Sequence, residues 1–373
     1  MSNLTRTILI TGADGFIDSN LLIRLKENES FRILKFVRTD NLEKLSKLVS
    51  KSDVIIHLAG ENRPSDVINF TKVNIDLTKF ICDEVKDSGR NIPIIYSSST
   101  KATENNEYGK SKLAAESILE DYVSATKNTV TIYRLPGVFG KWSKPNYNSV
   151  VATFCFNIAR GKDIHINNKA DIINLVYIDD IITDFFDDLH KSKKGLSWGK
   201  VSKNYSISLG DLANQIFAFK NSRDNLITEQ VGNGLTGALY STYISFLPKD
   251  IFSYDLPSYG DDRGNFVEVL KTKNSGQFSF LTIKPGITRG SHYHHSKTEK
   301  FILVKGAVRL KFRHLITQEI HEINLSDESI QVVDTIPGWV HDITNVGNSD
   351  SIIMLWANEN FDRENPDTIA QEV

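Results

Sequence analysis

Cysteine is scarce in this chain: Cys82 and Cys155 are the only two among 373 residues, each in an apolar stretch of helical character. That usage excludes a disulfide-dense secreted scaffold and reads as two buried thiols in a reducing cytosol. Net charge is equally lacking, because 44 Lys and Arg stand against 46 Asp and Glu for a total of -2. Such a balance gives no general attraction to nucleic acid or to an acidic membrane surface, although a small anionic substrate needs only a local cluster. No uninterrupted apolar run approaches the roughly 18 to 20 residues of a membrane span. The opening residues, Met1-Ser2-Asn3-Leu4-Thr5-Arg6, lead into a strand without a signal-peptide core. A soluble, cytoplasmic protein without nucleic-acid or membrane partners is the expectation. Internal repeats and low-complexity segments are also missing.

What the chain does have is length and two textures. At 373 residues it exceeds the size at which single cores stop growing, so two domains are expected. Up to about residue 245, short apolar runs (Thr7–Ile10, Arg32–Val37, Asp53–Leu58, Pro93–Tyr96, Val130–Tyr133) alternate with amphipathic stretches such as Asn20–Asn28 and Lys110–Lys127. This is the βαβ alternation of a parallel sheet buried on both faces. After about residue 250 the strands become short and are punctuated by Gly, Pro and Asn, as in Gln277–Ile283, Glu299–Val304, Ala307–Arg313, Ser329–Val333 and Ile352–Trp356. Regular short strands with turn signals predict an antiparallel barrel or jelly roll. The boundary falls near Phe246-Leu247-Pro248-Lys249, giving domains 1–246 and 247–373.

In the first domain, Thr11-Gly12-Ala13-Asp14-Gly15-Phe16 follows a strand and opens a helix. There a tight turn lets the backbone and helix N–H groups approach a diphosphate. The strand ending Phe36-Val37-Arg38 lacks the acidic residue that binds a ribose 2′-OH and offers Arg38, which suits a 2′-phosphate and favours NADPH. A solvated surface arginine is the plain alternative. Tyr108 and Lys112 share a helix face, and an ammonium next to a phenol stabilises the phenolate. Tyr96-Ser97-Ser98-Ser99-Thr100 ends a strand where a hydroxyl can orient a substrate oxygen.

These pieces, in this order with Leu58-Ala59-Gly60 and Asn74, resemble the extended short-chain dehydrogenases, a Rossmann-type α/β family. The family pattern is G-x-x-G-x-x-G, and here Asp18 stands at the third glycine, adding bulk and a charge near the phosphate site. The resemblance implies a serine at Ser99, with Ser98 as the near alternative, and Tyr108 and Lys112 as catalytic residues. It makes Gly12, Gly15, Phe16, Arg38, Leu58, Ala59, Gly60, Asn74, Tyr108 and Lys112 the cofactor contacts. It continues through Tyr133–Gly140 and Asn174–Asp180, which look like the substrate side of sugar-nucleotide reductases and epimerases and include Arg134. Between them Lys141–Asn148, with Asn146 and Asn148, suits a diphosphate and a uracil ring or is an ordinary Pro-Asn surface loop.

In the last third, Gly286-x5-His292-Tyr293-His294-x4-Glu299-x6-Gly306 and Gly338-x2-His341-x3-Asn345 fit the two cupin motifs, apart from Pro337 directly before Gly338. Alternate strand residues share a face, so His292 and His294 can point into a barrel with Glu299 and His341. Three imidazoles and a carboxylate suit Zn²⁺, with Mn, Fe or Ni also compatible. Asp261–Glu268 and Gly286–Tyr293 also resemble metal-free cupin epimerases of deoxysugar nucleotides. That comparison implies that Arg263 and Arg289 bind substrate, that Lys300 stabilises an enolate and that His292 is the base. His292 cannot be both ligand and free base; ligation is preferred and the base is left open.

Domain combination and order, Lys144–Val150 and Trp356-x-Asn358-Glu359 together resemble the bifunctional UDP-sugar reductase/3-epimerases of capsule and O-antigen synthesis. The resemblance implies that the cupin domain epimerises C3 of a UDP-4-keto-6-deoxy-HexNAc. The reductase domain would then reduce C4 with NADPH to give UDP-2-acetamido-2,6-dideoxy-β-L-talose. A homodimer is the expected assembly. Two rivals are a single-activity reductase with a structural zinc cupin and a non-catalytic sugar-nucleotide sensor; the intact Ser99, Tyr108 and Lys112 set argues against the sensor.

Overall fold

The computed structural model describes residues 6–28, 30–64, 66–191, 194–364 and 366–373. The start of the chain, read above for a signal sequence, lies outside the described residues up to Thr5. Two compact units emerge: Met1–Ile216 with Gly237–Leu247, and Phe217–Thr236 with Pro248–Val373. Residues 217–236 thus go with the second unit rather than with the first, because their short strand pairs with a strand of the β-rich region.

The first unit carries the strands β1 (Arg6–Thr11), β2 (Phe31–Phe36), β3 (Val54–His57), β4 (Ile94–Ser99) and β5 (Val130–Leu135). They continue with β6 (Gly137–Phe139), β7 (Ile172–Tyr177), β8 (Leu196–Trp198) and β9 (Tyr205–Ser208). Its helices are α1 (Phe16–Lys26), α2 (Leu42–Val49), α3 (Ile68–Phe70), α4 (Leu77–Asp87), α5 (Glu107–Thr126), α6 (Val150–Ala159) and α7 (Ile178–His190). Then α8 (Leu209–Asn225) and α9 (Gly234–Ser245) follow.

The main sheet runs β2-β1-β3-β4-β5-β8, with every neighbouring pair parallel. Strand residues alternate between two cores because Cβ direction alternates along a strand. Leu9, Ile55, Ile94 and Val130 pack with Leu45 of α2, Ile81 of α4 and Leu119 of α5. Ile8, Ile10, Val54 and Ile56 pack on the other face with Leu21 and Leu25 of α1 and Phe185 of α7. This is a Rossmann-like doubly wound sheet, and the order reverses between β1 and β3, where ligands of open α/β sheets bind. A small sheet β6-β7-β9 completes the unit.

The second unit is all-β apart from short helical pieces. After β10 (Ile227–Thr228) come β11 (Ser258–Asp261), β12 (Gly264–Thr272), β13 (Gln277–Ile283), β14 (Thr288–Tyr293), β15 (Glu299–Lys305) and β16 (Ala307–His314). The series ends with β17 (Ile320–Ser326), β18 (Val332–Asp334), β19 (Trp339–Asn345), β20 (Ser351–Ala357) and β21 (Ile369–Ala370). One sheet has the order β10-β12-β13-β20-β15-β18 with β11 on β12, and the other β17-β16-β19-β14-β21. Leu281, Phe301, Leu303 and Ile353 of the first sheet share a core with Val308, Leu310, Phe312 and Ile343 of the second, so the sheets pack face to face. Among the described residues, no helix is long and apolar enough to cross a membrane.

Candidate active sites

The glycine turn joins β1 to α1. Gly12 has φ +78°, and a Cβ there would lie 2.7 Å from the Ala59 backbone, so the close approach of the turn to the end of β3 requires glycine. Thr11 fastens the same junction: its hydroxyl contacts His57 Nδ1 at 2.6 Å and accepts from Ala59 N at 3.3 Å, while Leu58 N donates to Thr11 O. Gly15 is the extended residue before α1, and Phe16 is its first helical residue. The helix therefore begins four residues earlier than its apolar pattern suggests.

Asp18 lies in the first turn of α1 with 1 % of its surface exposed. Burial pushes its carboxyl up to about 7, against the pull of nearby backbone N–H groups. Arg38, just beyond β2, is largely exposed and ion-pairs with the buried Glu61 at 2.7 Å.

The second cluster forms where β3 and β4 end against α5. Asn106 caps α5 by accepting from Gly109 N, and a Cβ on Gly109 would strike the carbonyls of Lys101 and Glu104 at 2.3 and 2.5 Å. Tyr108 thereby sits at the start of the helix near Ser99, whose side chain works to lower the Tyr108 phenol. Ser98, one residue earlier on β4, donates to Glu116 instead. The geometry separates the two serines that the sequence leaves open. Lys112 is buried and donates to Ser97 O at 2.9 Å and to Tyr96 Oη at 3.3 Å. Burial lowers its ammonium to about 8, with Glu116 working the other way.

Tyr108 differs from the expectation of a lowered phenol. Burial raises it, the nearby Ser99 side chain works the other way, and the Lys112 ammonium is engaged by Tyr96 and Ser97. Asn74 sits on a turn of π-helix (Thr71–Asp76), a feature common at functional sites. Its side chain accepts from Glu61 N and donates to Glu61 O and Ser111 Oγ. A Cβ on Gly60 would lie 3.1 Å from Lys112 Nζ, so Gly60, Asn74 and Lys112 adjoin.

The substrate-side residues divide. Arg134 is held in a bidentate pair by buried Glu116, at 3.0 and 2.6 Å, and stacks 4.7 Å from the Trp198 ring centre. Its fork is already filled by a carboxylate, and one face of its plane is covered by Trp198. Asn146 and Asn148 are exposed, and Asn146 N bonds Thr153 Oγ1. Tyr147 between them ties this loop to the segment after β3, through Arg63 on its carbonyl and Asn62 on its hydroxyl.

In the second unit, His292, His294, Glu299 and His341 present ligand atoms that all lie within 4.8 Å of one another. His292 and His341 are register partners on β14 and β19, next to a bulge at Ser291. Glu299 Oε2 lies 3.4 Å from His294 Nε2 and 3.6 Å from His341 Nε2. His294 Nδ1 donates to the Asp367 carbonyl, which leaves the Nε2 lone pair of the neutral ring facing the cluster. Both ring nitrogens of His341 are buried without a hydrogen-bond partner. Burial, reinforced by His341, lowers His292 to about 4. Burial works to raise the Glu299 carboxyl, but its contacts with His294, His341 and Lys297 prevail and hold it well below the usual carboxylate range. The donor set fits a metal ion.

Lys300 is not part of this cluster. It follows Glu299 on β15, where neighbouring residues point to opposite faces, and its half-exposed side chain pairs with Asp334. The ammonium beside Glu299 is Lys297, 2.9 Å from Oε1 and buried. Asp367 holds the intervening loop by accepting from the backbone N–H groups of His295, Ser296 and Lys297. Arg263 and Arg289 come together on Asp261, with Arg263 donating from Nε and Nη2 to the same oxygen, Oδ2, and Arg289 at 3.4 Å from Oδ1 while also donating to Gly264 O.

A parallel sheet with its turn at the β1/β3 switch and a Ser–Tyr–Lys set on β4 and α5 defines a dehydrogenase-type site joined to an all-β histidine cluster. Residues 8–193 match the NAD dependent epimerase/dehydratase family, and residues 259–369 match the polysaccharide biosynthesis C-terminal domain. The chain is 51% identical over 366 residues, 98% of each protein, to UDP-2-acetamido-2,6-beta-L-arabino-hexul-4-ose reductase of Pseudomonas aeruginosa, and it belongs to the family of that reductase. Its fold matches the capsular polysaccharide assembling protein CapF from Staphylococcus aureus with a TM-score of 0.90 at 40% identity, covering 98% of this chain and 100% of that one. Human dTDP-D-glucose 4,6-dehydratase is 25% identical over 57% of this chain and 73% of its own.

Proposed function

We propose that this protein is a bifunctional sugar-nucleotide enzyme of capsule or O-antigen synthesis. Its second unit epimerises C3 of a UDP-4-keto-6-deoxy-HexNAc, and its first unit reduces C4 to give UDP-2-acetamido-2,6-dideoxy-β-L-talose. The observation that carries the reading is the Tyr108–Lys112 pair, one turn apart on α5, with Lys112 buried against Ser97 O and Tyr96 Oη on β4. The relative's printed name, a hexul-4-ose reductase, supports the reductive half.

NADPH, when bound, supplies the hydride. Gly12, Gly15 and Phe16 would hold its diphosphate, Arg38 its 2′-phosphate, and Leu58, Ala59, Gly60, Asn74 and Lys112 its ribose side. Tyr108 is raised by burial and so carries its proton at neutral pH. It can therefore donate that proton to the C4 oxygen as negative charge develops there. Ser99, at the end of β4, would orient the same oxygen. Asn146 and Asn148 would contact the nucleotide, and Arg134 would offer the face turned away from Trp198.

For the other half, a C4 ketone acidifies the C3 hydrogen, and the enolate left by its removal needs a positive neighbour. His292, His294, Glu299 and His341 would hold Zn²⁺, which supplies Lewis-acid stabilisation of such charge when bound. The two orphaned nitrogens of His341 support that fit. Arg263 and Arg289 suit the phosphates of the same substrate. The C3 base is then a group that does not ligate the ion.

The test is to incubate UDP-4-keto-6-deoxy-HexNAc isomers with the protein in deuterated water, with and without NADPH, and to identify products by NMR. Deuterium at C3 without NADPH and a C4 alcohol with it are expected. A C4 alcohol that retains the original C3 configuration would leave a simple reductase.

A further inference from the structure

The geometry of the glycine turn assigns a role to Asp18, the residue that replaces the third glycine of the family pattern. We propose that Asp18 makes dinucleotide binding proton-coupled: its carboxyl group is neutral in the complex, and the chain takes up a proton when the cofactor's diphosphate docks. The inference rests on the nicotinamide reading above and adds a pH-dependent control of affinity to it.

Three observations converge. First, Asp18 is almost entirely sealed from water, and its Oδ2 has no hydrogen-bond partner. Second, the carboxyl leans onto the turn itself, since a Cβ on Gly15 would lie 2.9 Å from Asp18 Oδ1. Third, the backbone N–H groups of Asp18, Ser19 and Gly15 favour its charged form, and that of Asp18, in the first turn of α1, is one a helix N-terminus offers to a phosphate. A charged carboxylate would therefore compete for the anion's donors and repel the anion at short range. A neutral one does neither, and its O–H can donate.

The charged groups around the turn do not offset this. Asp14 adds negative charge within the turn. Lys141, whose carbonyl receives the Asn20 amide, is paired with Asp179 at the start of α7. Arg38 beyond β2 is paired with Glu61. The free carboxyl titrates at about 7, so a diphosphate placed beside it raises it further. Binding is then strongest below that range and weakens as pH rises through it.

Isothermal titration of NADPH into the full chain and into Asp18→Asn tests this, at about pH 6 and about pH 8 and in two buffers of different ionisation enthalpy. The 2′-phosphate of NADPH titrates in the same range, so the difference between the two proteins is the readout. The unaltered chain should lose about tenfold more affinity than Asp18→Asn across that interval and take up more protons on binding. Asp18→Gly should bind with the same flattened pH dependence, which keeps the test valid if Asp18→Asn folds poorly. Equal pH dependence and equal proton uptake in all three overturn the proposal while leaving the cofactor reading intact. Absence of NADPH and NADH binding in all three at both pH values overturns the cofactor reading and this proposal with it.

Discussion

Polar atoms in the Tyr108 site and in the histidine cluster are satisfied in opposite ways. In the first unit Lys112 donates to Ser97 and Tyr96, Asn74 uses both ends of its amide, and Ser99 Oγ accepts from Lys101 N. That site is complete as folded, with its geometry fixed by protein partners. In the second unit the ring of His292 stands 4.9 Å from that of His294 and 4.7 Å from that of His341, and among the described residues neither nitrogen of His341 has a hydrogen-bond partner. Buried polar groups without partners are costly, so their convergence is accounted for by a ligand that accepts their lone pairs. The difference separates residues that the fold positions for chemistry from residues positioned for an ion. Asp18 Oδ2 is one of the counterexamples within the first unit, and it too sits where a ligand is expected.

The largest effect that would break the comparison is Tyr108→Phe. Removing the phenolic proton should cut NADPH oxidation by at least about a thousandfold while leaving C3 deuterium exchange near its original rate. Absorbance of NADPH reads the first and NMR the second. Loss of both together would show that the two chemistries share a group.

Next in size is His341→Ala. Elemental analysis should fall from about one zinc per chain to none. The melting temperature should drop by several degrees, with NADPH oxidation of a pre-epimerised substrate little changed. Retained exchange at C3 in the metal-free protein would make the ion structural. A well-folded parent chain without metal would return His292 to the role of base, for which a lowered imidazole is also suited.

Much of this was legible because each half follows one period. The strands β1, β3, β4 and β5 announce themselves as apolar runs since both faces are covered, and the histidine spacing follows strand alternation. The same alternation, applied to Glu299 and Lys300, would have placed Lys300 outside; the family comparison suggested it instead. Lys297 carried no local signal, because its burial depends on Asp367, 70 residues away in sequence. Neither did the Glu116 carboxylate that occupies Arg134, since the pairing spans two elements. Asp18 stood out as a departure from a pattern, yet only the fold shows that its carboxyl is buried with a free oxygen.

That buried oxygen gives a smaller effect on stability. The native carboxyl is raised by burial from 3.8 to about 7, so its contribution is intact below its unfolded value and is lost as pH rises through about 7. Asp18→Asn keeps the shape without the charge. It should stabilise the chain at about pH 8 by on the order of 2 kcal/mol and have little effect near pH 4. Urea unfolding at the two pH values measures it, and an equal gain at both would mean that the carboxylate is not strained by its burial.

The smallest expected effect concerns Arg38, the one cofactor contact held by an exposed ion pair. Arg38 cannot serve a 2′-phosphate while its guanidinium is bound to Glu61 at 2.7 Å, so the cofactor must win it from a buried carboxylate. The preference for NADPH over NADH should therefore be modest, and Arg38→Ala should raise KM for NADPH by about threefold to fivefold with KM for NADH unchanged, the scale of an exposed pair. Glu61→Gln sharpens the point, because it frees the guanidinium and leaves Arg38 in place. It should strengthen the preference where Arg38→Ala removes it. Steady-state kinetics with both cofactors decides the matter: if the unaltered chain uses NADH and NADPH equally and Glu61→Gln does not change the ratio, Arg38 is a surface partner of Glu61 and does not select the cofactor.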